Sequence, residues 1–191
     1  MSETIYFKEQ GSANTQKTID IAVAYARENG IRHIVVATTE GNTPRLLKGL
    51  SGIKVIAVTL AWGFRVKGEN SVSGETRAEL EAGGVTVHSA AHPLSGAEKA
   101  LGDAFDGAYP VQIIADTLRF FGQGTKVAVE VATSALDAGL IPYGETIIAI
   151  GGSRSGADTA VTLVPSYSAS IFETRIEKFL AKPLRATVKA K

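Results

Sequence analysis

The chain has 191 residues, 45% of them hydrophobic and 20% charged, a length and composition that fit one globular domain able to bury its own core. A net charge of +1 supplies no field for drawing in nucleic acid or an anionic membrane. The absence of cysteine excludes disulfides, thiolate catalysis and cysteine-based metal sites.

Ile5-Tyr6-Phe7 reads as a first short strand, followed by a turn from Gln10 to Ala13. Ile19, Ala22, Val23 and Ala26 then recur at helical spacing, with Asn14 or Thr15 as cap and Asn29-Gly30 as stop. His33 to Ala37 is a continuous β-branched run, the mark of a buried parallel strand. Thr43-Pro44 should start a short helix, since proline is favoured at the first helical position.

Lys54 to Thr59 predicts a second buried strand, opening into a long loop from Leu60 to Ser73 that holds the only tryptophan, Trp62. Glu75 to Ala82 reads as helix and Val85 to His88 as strand. Two helices follow, around Ala97 to Phe105 and from Pro110 to Phe121. Thr125 to Ala138 carries both periods, and its length decides for helix. Thr146 to Ile150 is a buried strand with Thr159 to Val164 as partner, and Ile171 to Leu180 reads as a final helix.

Strands alternating with helices imply a three-layer α/β/α domain with a mostly parallel sheet. The domain is expected over 1–183, with a basic, mobile tail over 184–191. The amino end has no basic region leading into an apolar run, so no signal peptide is expected. No apolar stretch approaches the roughly 18–20 residues that span a bilayer, and a cytoplasmic protein follows as the expectation.

Ligands of such sheets bind at the carboxyl ends of the strands, where the connections change direction. Past Ala37, the segment Thr38-Thr39-Glu40-Gly41-Asn42-Thr43-Pro44 gathers hydroxyls and free N–H groups at a helix start, an arrangement suited to a phosphate. A routine capped turn, with Thr43 serving only its own helix, explains the same residues about as well. No lysine lies in the segment, and it is not a Walker loop.

Past Ile150, Gly151-Gly152-Ser153-Arg154-Ser155-Gly156-Ala157-Asp158-Thr159 lets the backbone approach a ligand closely, with Asp158 as an acceptor. A hairpin whose turn is satisfied by Asp158 is the plainer alternative. Two such loops at strand ends favour a site between them. Past Thr59, Trp62 or Phe64 could lie against a flat ligand, though core or subunit contacts are the commoner fate of single aromatics.

Candidate catalysts are sparse. His33 begins a strand, and His88 and His92 do not share a helical face. Glu130 lies in an apolar helix, as a buried acid or as the solvent-facing or ion-paired partner of Lys126. No serine sits in a Gly-x-Ser-x-Gly elbow, so the residues assign no reaction.

The order Ile34 to Thr43, then Val55 to Thr59, is similar to the carboxyl-terminal α/β domain of pyruvate kinase. In that domain the equivalent Ser/Thr-rich loop binds the phosphate of a sugar bisphosphate effector. Small stand-alone archaeal and bacterial proteins of this type resemble the chain more closely. Their markers are Gly63-Phe64, Gly68-Glu69-Asn70, Glu130 with Asp137-Ala138-Gly139, and Gly151-Gly152 with Gly156-Ala157-Asp158-Thr159-Ala160, and all stand here. The resemblance implies flavin mononucleotide (FMN) as cofactor. It implies that Thr38, Thr39, Gly41, Asn42 and Thr43 hold the phosphate, with Asn14 near it. Gly151, Gly152, Ser153, Gly156, Ala157, Asp158 and Thr159 would line the ribityl chain and ring, with Phe64 beside the ring. Partners are then a flavin or another phosphorylated small molecule, and the aromatic loop is compatible with a homo-oligomer. A non-catalytic sensor of a sugar phosphate is the alternative. Phosphoenolpyruvate chemistry is not implied, because the remaining domains of pyruvate kinase are absent.

Overall fold

The computed structural model describes residues 3–184. A seven-stranded sheet runs through it in the order β1-β7-β6-β5-β2-β3-β4. The strands are β1 (Ile5–Phe7), β2 (His33–Ala37), β3 (Lys54–Thr59), β4 (Val85–Ser89), β5 (Ile147–Gly151), β6 (Thr159–Val164) and β7 (Arg175–Pro183). All neighbours pair in parallel except β6, which is antiparallel to both β5 and β7.

The helices are α1 (Thr15–Asn29), α2 (Asn42–Arg45), α3 (Gly74–Ala82), α4 (Gly96–Phe105), α5 (Pro110–Arg119) and α6 (Gln123–Asp137). Side chains alternate across each strand, so one sheet face takes Ile34 and Val36 and the other takes Val35. Against the first face lie Ile19, Ala22 and Ala26 of α1 with Leu47 and Leu80. The second face, which also carries Val58, Ile147 and Ala149, packs against Ala128, Val131, Ala132 and Ala135 of α6. The result is the three-layer α/β arrangement expected from the alternation of elements. No described helix is long and apolar enough to cross a membrane.

The segment Thr125 to Ala138 is helix, as its length required, and almost every residue of α6 is buried. Ile171 to Leu180 is not helix. A 3-10 turn occupies Ser168–Glu173, and β7 follows from Arg175. Two register shifts against β6 make the pairing skip Glu177 and Leu180, which leaves Leu180 and Ala181 both buried. Bulges of this kind erase the period of two that marks a strand. The short helix α2 also begins earlier than expected, at Asn42, with Gly41 rather than Thr43 as N-cap. The basic tail expected over 184–191 lies, beyond Leu184, outside the described residues.

β2 leads on one side to β3 and β4, and on the other side it pairs with β5, which the chain reaches only after α6. This reversal makes a crevice at the carboxyl ends of β2, β3 and β5.

Candidate functional site

That crevice is a cavity of about 330 Å³ with three walls. The first follows β2 and consists of Thr38, Thr39, Glu40, Asn42 and Thr43. Gly41 makes its turn at φ +90°, and a Cβ there would meet Thr76 Cγ2 at 2.4 Å, so glycine is required twice over. The Gly41 N–H donates to Thr38 Oγ1 at 2.9 Å, which holds the turn shut. Thr43 is buried, and the N–H groups of Asn42 and Thr43 open α2 with no helical carbonyl behind them.

Arg45 does not serve the cavity. Its Nε donates to Glu79 Oε2 at 2.9 Å, its Nη2 to Thr76 and its Nη1 to Asn42 Oδ1, while Lys48 Nζ takes Glu79 Oε1. The hydrogen bonds from Arg45 and then Lys48 hold the Glu79 carboxyl down to about 2, and the cluster clamps α2 to α3. The hydroxyl loop is thereby fixed from behind.

The second wall is the hairpin after β5, where Gly152, Arg154, Ser155 and Gly156 reach the cavity. Its glycines are close-contact positions: a Cβ on Gly152 would lie 2.1 Å from Gly156 O, and one on Gly156 would lie 2.3 Å from Thr15 Oγ1. Asp158 is fully buried and spent internally. Its Oδ2 accepts from Gly11 N at 2.9 Å and Ser153 N at 3.2 Å, and its Oδ1 accepts from Thr159 Oγ1 at 2.8 Å. It ties the hairpin to the loop after β1 and does not line the cavity.

The third wall comes from α6, through Gln123, Val127, Glu130, Val131 and Ser134, with His92 and Pro93 beside it. Lys126 Nζ donates to Glu130 Oε2 at 2.6 Å, and Leu94 N donates to Oε1 at 3.2 Å. Burial pulls the Lys126 ammonium below its usual range, and the Glu130 carboxylate opposes that shift. Burial also lowers His92, against the pull of Glu130.

Of the residues expected at a ligand, Thr38, Thr39, Asn42, Thr43, Gly152 and Gly156 come together at the cavity. Gly41 shapes its wall from behind. Asn14 donates instead to Glu9 O at 2.7 Å. Gly151 and Thr159 are packed against Gly124 of α6, and Ser153 and Ala157 are buried in the hairpin. Phe64 is half exposed, and its ring stands 5.3 Å from that of His92. Trp62 is exposed.

The loop after β3 that carries both aromatics is rooted by Asn70, whose Nδ2 donates to Leu60 O and Thr59 Oγ1. Arg65 comes from that loop to the cavity, where it pairs with Glu40 at 3.0 Å. Apart from Glu130, the α6 wall is not expected at a site, and neither are Arg65 and His92. Val127, Val131 and Ser134 carry no signal beyond helical spacing, and only Glu130 stands out in sequence.

A model of the family described as pyruvate kinase, alpha/beta domain, matches residues 16–163. Among solved structures, a Cryptosporidium parvum pyruvate kinase is 18% identical over 71% of this chain and 20% of its own, with a TM-score of 0.36. The Cryptosporidium parvum pyruvate kinase in complex with ADP is 17% identical over 85% of this chain and 23% of its own, with a TM-score of 0.39. The chain thus spans about a fifth of the length of the pyruvate kinases it matches.

Proposed function

The chain belongs to the pyruvate kinase alpha/beta domain family, and on that premise we propose that it binds a phosphorylated small molecule, FMN foremost, in the cavity at the ends of β2, β3 and β5. The observation that carries this reading is the wall of Thr38, Thr39 and Thr43, all donors and held rigid by Gly41 and the Arg45–Glu79 clamp. Hydroxyls and N–H groups at a helix start suit a phosphate ester without any lysine.

The rest of the cavity suits a flavin body. Val58, Leu60, Val127 and Val131 offer apolar surface, and Gly152 and Gly156 allow backbone to come close. Phe64 and His92 stand together beside this surface. The flavin would supply electron or hydride transfer, while these residues bind it, orient it and limit its exposure to water.

Membership of the family favours a second reading, a non-catalytic sensor of a sugar phosphate. The absorbance spectrum of the purified protein, followed by titration with FMN, separates the two. A colourless protein that takes up no added FMN sinks the flavin reading. Hydrogen bonds to a charged group are worth about 1.5–3 kcal/mol each, so Thr39→Val with Thr43→Val should weaken a phosphate ester by about a hundredfold or more. Unchanged affinity would place the phosphate elsewhere.

A further inference from the structure

The walls of the cavity differ in what they offer a ligand. The loop after β2 presents donors: three threonine hydroxyls and the N–H groups that open α2. The α6 wall presents an acceptor. Glu130 lines the cavity although the residue keeps only 4% of its surface exposed. Lys126 is as deeply buried but is not part of the cavity lining, so the cavity meets the carboxylate side of the pair. Lys126 and Leu94 N take one lone pair on each oxygen, which leaves acceptor capacity for a ligand.

Buried charges are poorly screened by salt. The Lys126 ammonium compensates Glu130 over the pair as a whole. A second phosphate or a carboxylate against α6 would still meet the carboxylate end of the pair first, where water cannot relieve the contact. A hydroxyl or ring N–H would instead use the spare lone pairs of Glu130. The flanking Val127 and Val131 favour an uncharged, partly apolar body at the same place.

The other charged groups at the cavity do not reverse this bias. Glu40 and Arg65 neutralise each other at an exposed pair. Arg154 reaches the cavity from the hairpin, where its exposure lets water and salt screen its charge far more than that of the buried Glu130. Burial holds His92 toward its neutral form, against the pull of Glu130.

We propose that Glu130 makes the cavity selective for monophosphate esters whose remaining body is uncharged and carries a hydroxyl or N–H donor, against ligands with a second anionic group. The proposal rests on the phosphate reading above and names the class of ligand that site takes. By this criterion FMN fits and a sugar bisphosphate does not.

Calorimetric titration of the whole chain with inorganic phosphate, FMN, fructose monophosphate and fructose bisphosphate tests it. The wild type should bind each monophosphate ester at least about tenfold more tightly than the bisphosphate. Glu130→Gln should remove the preference or turn it toward the bisphosphate. Because that change leaves Lys126 buried without its anion, the neutral pair Lys126→Gln with Glu130→Gln serves where the single variant fails to fold, and there the ratio should be close to one. Bisphosphate binding as tight as monophosphate binding in the wild type overturns the proposal. So does a preference that survives in the neutral pair. If the wild type binds none of the four, the phosphate reading falls and this inference with it. If inorganic phosphate binds but the preference is absent, only the inference falls.

Discussion

The ammonium of Lys126 stands 2.6 Å from Oε2 of Glu130 one turn along α6, and each side chain keeps only 6% of its surface exposed. Such a pair is costly to bury and costly to break, because removing one partner strands the other charge. Lys126→Met is expected to lower stability by about 3–5 kcal/mol. Adding Glu130→Leu should recover most of that loss, apart from about 1–3 kcal/mol for the orphaned Leu94 N–H. Urea unfolding of the two variants checks this. A single variant as stable as the wild type would mean the pair is open to water.

The clamp behind the hydroxyl loop predicts an acid response. Glu79 has an ordinary value of 4.5 and is held to about 2 by Arg45 and Lys48. A carboxyl whose folded value is depressed binds fewer protons in the folded state between those two values. Its stabilising contribution is therefore complete above pH 4.5 and is lost as the pH falls toward 2. Glu79→Gln should flatten the decline of the urea midpoint across that window. A decline as steep as that of the wild type would exclude the clamp as its source.

Close approach of backbones gives a third expectation. A Cβ on Gly151 would lie 2.2 Å from Gly124 O and 3.0 Å from Ala128 N, both backbone atoms of α6. Gly151→Ala must push β5 and α6 apart, at about 1–3 kcal/mol or more. Gly74, in the first turn of α3, has open space around it and no positive φ. Gly74→Ala should be neutral or slightly stabilising. Thermal midpoints that fall equally for both would contradict the geometry.

How far the fold could be read in advance follows from where its signals are local. β2, β3 and β5 are buried on both faces, so they appear as unbroken runs such as Ile147 to Ile150. β7 hides because its bulges place Leu180 and Ala181 on consecutive buried positions, a pattern that matches a helix as well as a strand. In the site, Thr38, Thr39 and Thr43 are legible because hydroxyls and glycine cluster at a strand end. Asp158 is legible only in part: its role in satisfying the hairpin turn, through Ser153 N, follows from the sequence. The second donor to the same Oδ2, Gly11 N, lies 147 residues away in the chain and leaves no local signal. The valines of the α6 wall are invisible in sequence because they have the spacing of core positions, and only Glu130 stands out among them.

The same helix supplies a test that separates packing from binding. Thr133 is fully buried, and no hydrogen-bond partner reaches its Oγ1 among the described residues. A buried unsatisfied hydroxyl costs about 1–3 kcal/mol, and valine keeps the shape while removing it. Thr133→Val is therefore expected to raise the unfolding free energy read from urea denaturation by about 1 kcal/mol after any local repacking. Its neighbour Ser134 lines the cavity and Thr133 does not, so ligand affinity should stay within the error of the titration. A variant less stable than the wild type would show that the hydroxyl has a partner in solution. A variant that is stable but binds less tightly would show that α6 shifts with its core, and that the cavity wall depends on that packing.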